Sequence, residues 1–266
     1  MFQFAAALAL AKKHSAKLAL DVSSFLVDEK RSYELFKFPN LNHDHRHFTP
    51  NNLLNKISDR ITYDRFEEDF HSSNYDKRFE SLSDRTILDG YWQCEKYFMQ
   101  IEEELRKKFS LNECKKESFV RLSDEIKKTP SVSLHFRRGD YVESERKKDK
   151  HNLLEMSYYD HAIKKIVESS KDNLFWIFSD DPQWVKENFK LNIETRVIDS
   201  KEGLNSTEEL TLMSYCRHNI IANSSFSWWA GWLNNNVGKI VIYPQQWFRQ
   251  GLGVNDCRIP SSWLGI

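Results

Sequence analysis

From Ser131 onward, short apolar runs alternate with longer stretches in which apolar residues recur every three or four positions. That alternation predicts strands over 131–137, 173–178, 194–198, 219–222 and 239–243, with helices over 157–170, 182–189, 206–217 and 226–236 between them. Strand, helix and strand in repeated succession need crossover connections, which place the strands parallel with helices on both faces. The expectation is an α/β fold. Ligands of such sheets bind at the carboxyl ends of the strands, where Arg137, Asp180, Asp199 and Asn223 all fall.

The first half is less regular. Residues 1–15 are rich in Ala and Leu and close on Lys12, Lys13 and His14, which reads as a largely buried helix with cations at its C-terminal end, followed by a strand over 17–21. Residues 86–90 read as a short buried strand, and 94–109 as a helix with Glu102, Glu103 and Glu104 ahead of Arg106, Lys107 and Lys108. A further helix over 112–127 stops before Pro130, dividing the chain into 1–128 and 129–266. Residues 23–85 show no clear period.

A chain of 266 residues, 40% hydrophobic and 14% aromatic, can build substantial cores. Basic and acidic residues both number 39, and the zero formal charge removes any global electrostatic case for nucleic acid. Cys94, Cys114, Cys216 and Cys257 show neither CxxC pairing nor metal-ligand spacing and read as reduced thiols of a cytoplasmic protein. The early apolar run is too short for a bilayer and carries its lysines after it, so no export signal or anchor is expected, and at most peripheral contact with the inner membrane face.

The candidate chemistry centres on Arg137 and Arg138, where the apolar strand ends. A guanidinium fork takes two phosphate oxygens at once and stays charged, so this pair suits a diphosphate leaving group; taken alone, it equally suits a solvated edge. Arg137 shares a strand face with His135, which makes it the leading phosphate contact, with Arg138 assisting or bracing the loop. In Asp180-Asp181-Pro182, one carboxylate is expected to cap the following helix. The pair lacks Asp-x-Asp spacing, and arginines already fill the diphosphate role, so no catalytic metal and no cofactor are expected. Asn223, Ser224 and Ser225 open a helix, and Ser224 and Ser225 are read as phosphate contacts. Trp228, Trp229 and Trp232 are read as packing.

Together, the stretches around His135-Phe136-Arg137-Arg138-Gly139-Asp140, Phe178-Ser179-Asp180-Asp181-Pro182 and Asn223-Ser224-Ser225-Phe226-Ser227-Trp228-Trp229 resemble the bacterial alpha-1,2-fucosyltransferases of glycosyltransferase family 11. The resemblance implies two Rossmann-like domains of the GT-B type, acceptor side 1–128 and donor-binding 129–266, with GDP-fucose between them. It implies inverting, metal-independent transfer of L-fucose to the 2-hydroxyl of a terminal beta-galactose in a surface polysaccharide or O-antigen. The donor set becomes His135, Arg137, Arg138, Asp180, Asp199, Asn223, Ser224 and Ser225. Asp199 enters as a guanine acceptor by similarity to more distant fucosyltransferases; otherwise it is a turn aspartate. Those distant enzymes also place a glutamate where Glu145 stands, making it a candidate base beside Asp140; Arg137 is the third catalytic candidate.

Relatives carry a strand and a Gly-Gly-x-Gly-Asn-Gln loop before the Met-Phe-Gln that is here residues 1–3, so the first strand of the N-terminal domain is expected to be missing and activity lower than in a chain extended upstream. The rival readings are another GDP-sugar transferase and a truncated, inactive GDP-sugar-binding protein. Arg138-Gly139-Asp140 as an adhesion tripeptide, and His43, His45 and His47 as metal ligands, are weaker alternatives.

Overall fold

The computed structural model describes residues 1–28, 32–41, 44–46 (as backbone), 63–69, 74–111, 113–138, 153–169, 172–190, 193–248 and 256–266. Two compact units are present: Met1–Ser110 with Gly253–Pro260, and Leu111–Leu252 with Ser261–Ile266.

In the first unit, helix α1 (Phe2–Lys13) buries Phe2, Phe4, Ala5, Ala6, Ala9 and Leu10 and ends on Lys12 and Lys13, where cations suit the helix dipole. Lys12 also pairs with Glu104 at 2.8 Å. Strands β1 (Ala19–Asp21) and β2 (Asp44–Arg46) form one parallel pair, and β3 (Asp64–Glu67) and β4 (Thr86–Asp89) another. After β4 the chain turns through Gly90 to Trp92, which is fully buried at φ 55°. The Glu68 carboxylate holds this turn by accepting the N–H groups of Tyr91 at 2.6 Å and Trp92 at 3.0 Å. A Cβ on Gly90 would lie 2.4 Å from that of Glu68, so no other residue fits there.

The expected helix over 94–109 is broken. Single 3₁₀ turns cover Glu95–Tyr97 and Met99–Ile101 before helix α2 (Glu102–Lys108). Phe98 leaves the helical region at φ −144°, and the break lets both Tyr97 and Phe98 reach the core.

The second unit opens with helix α3 (Glu117–Lys128), apolar on one face through Phe119, Leu122 and Ile126. The regular succession then follows: β5 (Ser131–Phe136), α4 (Met156–Ser169), β6 (Leu174–Ser179), α5 (Pro182–Asn188), β7 (Thr195–Val197), α6 (Ser206–Tyr215), β8 (His218–Ile220), α7 (Ser225–Leu233) and β9 (Val241–Tyr243). Every element expected beyond residue 130 is present, within a few residues of its expected ends. One more strand, β10 (Leu264–Gly265), joins the edge beside β9; two residues are too few to carry a period.

These strands form one sheet in the order β10-β9-β8-β5-β6-β7, parallel throughout. β5, buried at all six positions, lies between β8 and β6. Its Val132, Leu134 and Phe136 join a core with Tyr159, Ile163 and Ile166 of α4. On the other face, Asn219 donates to Ser133 Oγ at 2.7 Å, and Asn234 donates to Asn219 Oδ1 at 2.7 Å and to the Cys216 carbonyl at 2.8 Å. These satisfied buried amides fix α6 and α7 against the sheet. Near the opposite strand ends, the hydroxyls of Tyr158 and Tyr159 donate to the carbonyls of Ile221 at 2.6 Å and His135 at 3.2 Å. Among the described residues no helix is long and apolar enough to cross a membrane.

Candidate functional site

Because the sheet is parallel, the carboxyl ends of β5, β6, β7 and β8 share one edge. Phe136 pairs with Ser179, so the residues that follow them, Arg137 and Asp180, leave the sheet side by side. Arg137 Nη1 lies 2.9 Å from Asp180 Oδ2. The other oxygen of that carboxylate accepts the backbone N–H of Arg138 at 2.8 Å. Asp180 therefore holds a guanidinium with one oxygen and the following turn with the other.

Asp181 has the capping role. Its Oδ1 accepts the Trp184 N–H at 3.1 Å, with Pro182 in the first turn of α5, as Asp-Pro after a strand leads one to expect. Trp184 then meets Arg138, whose Cζ stands 3.4 Å from the ring centroid, while its Nε lies 3.8 Å from Asp181 Oδ2. Stacking plus an ion pair fixes the Arg138 plane. The Arg137 side chain is 32% exposed and that of Arg138 16%. The first presents charge to the edge; the second braces the turn.

His135 is buried, its ring 5.6 Å from that of Phe226. Burial, reinforced by the Arg137 charge, pushes its pKa down to about 3, so the imidazole is neutral. Its Nδ1 is buried with no hydrogen-bond partner among the described residues. Asp199 is engaged locally: Oδ2 lies 2.5 Å from Lys186 Nζ, and Oδ1 accepts the Lys201 N–H at 2.8 Å, capping a short turn that ends at Gly203 with φ 61°. The bond from Lys186, then that from Lys201, holds its carboxyl below the usual range.

Asn223 is buried and donates to the Trp247 carbonyl at 3.2 Å. Ser224 caps α7 by accepting the Phe226 N–H at 3.3 Å, and Ser225, the first helical residue, is exposed. Trp228, Trp229 and Trp232 are buried against one another, and Trp263 packs on Trp228 at 5.5 Å. Asp140 and Glu145 lie outside the described residues, as do His43 and His47. Among the described residues no group of His, Cys, Asp or Glu is arranged to hold a metal ion.

One carboxylate was not singled out from sequence. Glu209 lies partly buried in the first half of α6, one residue after the buried Glu208. Burial, then repulsion from Glu208, pushes its carboxyl up to about 7. In sequence, Ser206-Thr207-Glu208-Glu209 reads as an ordinary acidic first turn, and Glu208 indeed completes a capping box with Asn205. Only the helix phase separates Glu209 from it.

The class these features define is a parallel α/β protein of the kind that receives ligands at its strand ends. The chain belongs to glycosyl transferase family 11, whose model matches residues 36–265. It is 34% identical to an alpha-1,2-colitosyltransferase of Escherichia coli, over all of this chain and 94% of that protein. It is 29% identical to the O-antigen biosynthesis glycosyltransferase WbnK of Escherichia coli, over all of this chain and 96% of that protein. A galactoside alpha-(1,2)-fucosyltransferase 1 of Rattus norvegicus is 26% identical over 67% of this chain and 50% of that protein.

Proposed function

We propose that this transferase moves L-fucose from GDP-fucose to the 2-hydroxyl of a terminal beta-galactoside of an O-antigen or similar surface polysaccharide, with inversion and without a metal. Membership of the family supports glycosyl transfer, and the rat relative's name supports the fucose and the linkage. The observation that carries the reading is Arg137, held at 2.9 Å by Asp180 beside the central strand's end and still partly open to solvent. As the sugar–phosphate bond breaks, negative charge gathers on the departing diphosphate, and a preset guanidinium stabilises it. In this reading the donor unit is 129–266 and the acceptor side 1–128, as two Rossmann-like domains of a GT-B arrangement. His135, Ser224, Ser225, Asn223 and Asp199 complete the donor set, and Glu145 or Asp140 takes the acceptor proton. The work is done in the cytoplasm, without a cofactor.

Arg137→Ala is expected to lose transfer from GDP-fucose while keeping the wild-type circular dichroism spectrum; full activity in a folded variant would end this reading. Glu145→Gln and Asp140→Asn, assayed separately, identify the base.

A second reading changes the donor. The relative at 34% identity is an alpha-1,2-colitosyltransferase, which favours colitose in place of fucose. Comparing kcat/KM for GDP-fucose and GDP-colitose decides between them, and product linkage analysis tests the 2-hydroxyl.

A further inference from the structure

Asp199 leaves the sheet beside the strand ends that carry Arg137 and Asp180. Val197 pairs with Ile177, and the Ile198 N–H donates to the Ile177 carbonyl at 2.8 Å. Asp199 thus follows β7 level with Ser179 of β6, which itself pairs with Phe136 of β5. With β6 between them, β5 and β7 are two strand spacings apart, about 10 Å. A nucleoside diphosphate whose phosphates meet Arg137 extends its base along such an edge, because the ribose separates the two. Two groups hold the Asp199 carboxylate. Lys186 Nζ, from α5, lies 2.5 Å from Oδ2, and the Lys201 N–H donates to Oδ1 at 2.8 Å. Lys186 first and Lys201 second hold the carboxyl below its usual range, so it is ionised.

We propose that Lys186 is a positioning residue for nucleobase choice: by fixing the plane of the Asp199 carboxylate, it makes the site prefer guanine over bases that lack the 2-amino group. The inference rests on the reading of the donor as a GDP-sugar. An ionised carboxylate has about four acceptor sites. The bonds from Lys186 and Lys201 take one on each oxygen, which leaves one on each for a ligand offering two neighbouring N–H donors. Guanine offers that pair, N1–H and the 2-amino group; hypoxanthine offers N1–H alone, and adenine turns an acceptor toward the carboxylate. The last torsion of an aspartate is soft, so the bond to Oδ1 alone leaves the carboxylate plane unfixed. Lys186, reaching from a different element, supplies the second point. The Asp199 side chain is 18% exposed and that of Lys186 42%, so the pair is open to a ligand and is not part of the core.

The test titrates the full chain calorimetrically with GDP and with inosine diphosphate, which lacks only the 2-amino group. Wild type is expected to bind GDP tighter by about 10-fold or more, the worth of one hydrogen bond to a charged group. Lys186→Met should lose most of that preference through weaker GDP binding, and Lys186→Arg should restore it. Asp199→Asn should lose it as well, and adding Lys186→Met to Asp199→Asn should lower the ratio no further, because Lys186 acts through Asp199. A Lys186→Met protein that keeps the wild-type ratio overturns the proposal. So does one in which both nucleotides weaken alike, since that marks a plain attraction of phosphate charge. Wild type that binds both nucleotides equally overturns it too and removes Asp199 from the donor set, whereas wild type that binds neither ends the GDP-sugar reading itself. Should Lys186→Met fail to fold, Lys186→Ala decides.

Discussion

Asp180 and Arg137 face each other at 2.9 Å at the ends of adjacent parallel strands, and the second oxygen of the same carboxylate takes the Arg138 N–H. Guanidinium and turn are thus positioned by one group. Asp180→Asn retains an acceptor for the N–H but loses the ion pair, so transfer should fall by about 10- to 100-fold through loss of orientation. Stability should change by less than about 1 kcal/mol, because the pair is partly solvated. Steady-state kinetics with urea unfolding checks both; an unaltered kcat/KM would refute the positioning role.

Arg138 tests shape against charge. Lysine keeps the charge but cannot reproduce a planar group stacked 3.4 Å from the Trp184 ring centroid. Arg138→Lys should therefore behave like Arg138→Ala, each reducing transfer by about 10-fold, whereas Trp184→Phe should retain most activity. If lysine restores wild-type rates, the stack is incidental.

Glu209 makes stability depend on pH. Its carboxyl sits near 7 in the folded protein against 4.5 as the ordinary value, so the native state holds this proton more tightly than the unfolded chain does. The contribution is complete below about pH 4.5 and is lost as pH rises through about 7. Glu209→Gln should then be more stable than wild type at pH 8 by about 1–3 kcal/mol, with the difference shrinking toward pH 5. Urea melts at the two pH values measure it; a pH-independent difference would contradict it.

Gly231 lies in α7 where that helix meets the sheet edge. A Cβ there would stand 2.9 Å from Val241 Cγ1 and 3.4 Å from the Trp263 ring. Gly231→Ala should destabilise by about 1–3 kcal/mol despite alanine's better helix propensity. The double change Gly231→Ala with Val241→Ala should recover part of that loss, and thermal melts of the three variants check the coupling.

The sheet of the second unit was legible because its strands are short and apolar and its helices amphipathic; both signals are local. That Asp180 or Asp181 would cap the helix was legible for the same reason, from Asp-Asp-Pro after a strand, but which of the two was not. The partnership of Asp180 with Arg137 was not, because it depends on the register that pairs Phe136 with Ser179. Trp184 carried no signal of its role under Arg138. The helix expected over 94–109 broke because burying both Tyr97 and Phe98 outweighed local propensity, and β10 exists only because the neighbouring β9 offers it an edge. Glu209 was hidden by its neighbour Glu208, whose capping motif accounts for an acidic pair without asking where the second carboxylate points.

The assignment of Gly253–Pro260 to the same body as Met1–Ser110 bears on how the polypeptide matures. Ribosomal synthesis releases the early residues first, yet their partner segment emerges only after Leu111–Leu252 has been made. That body therefore stays incompletely assembled until the intervening sequence has been translated.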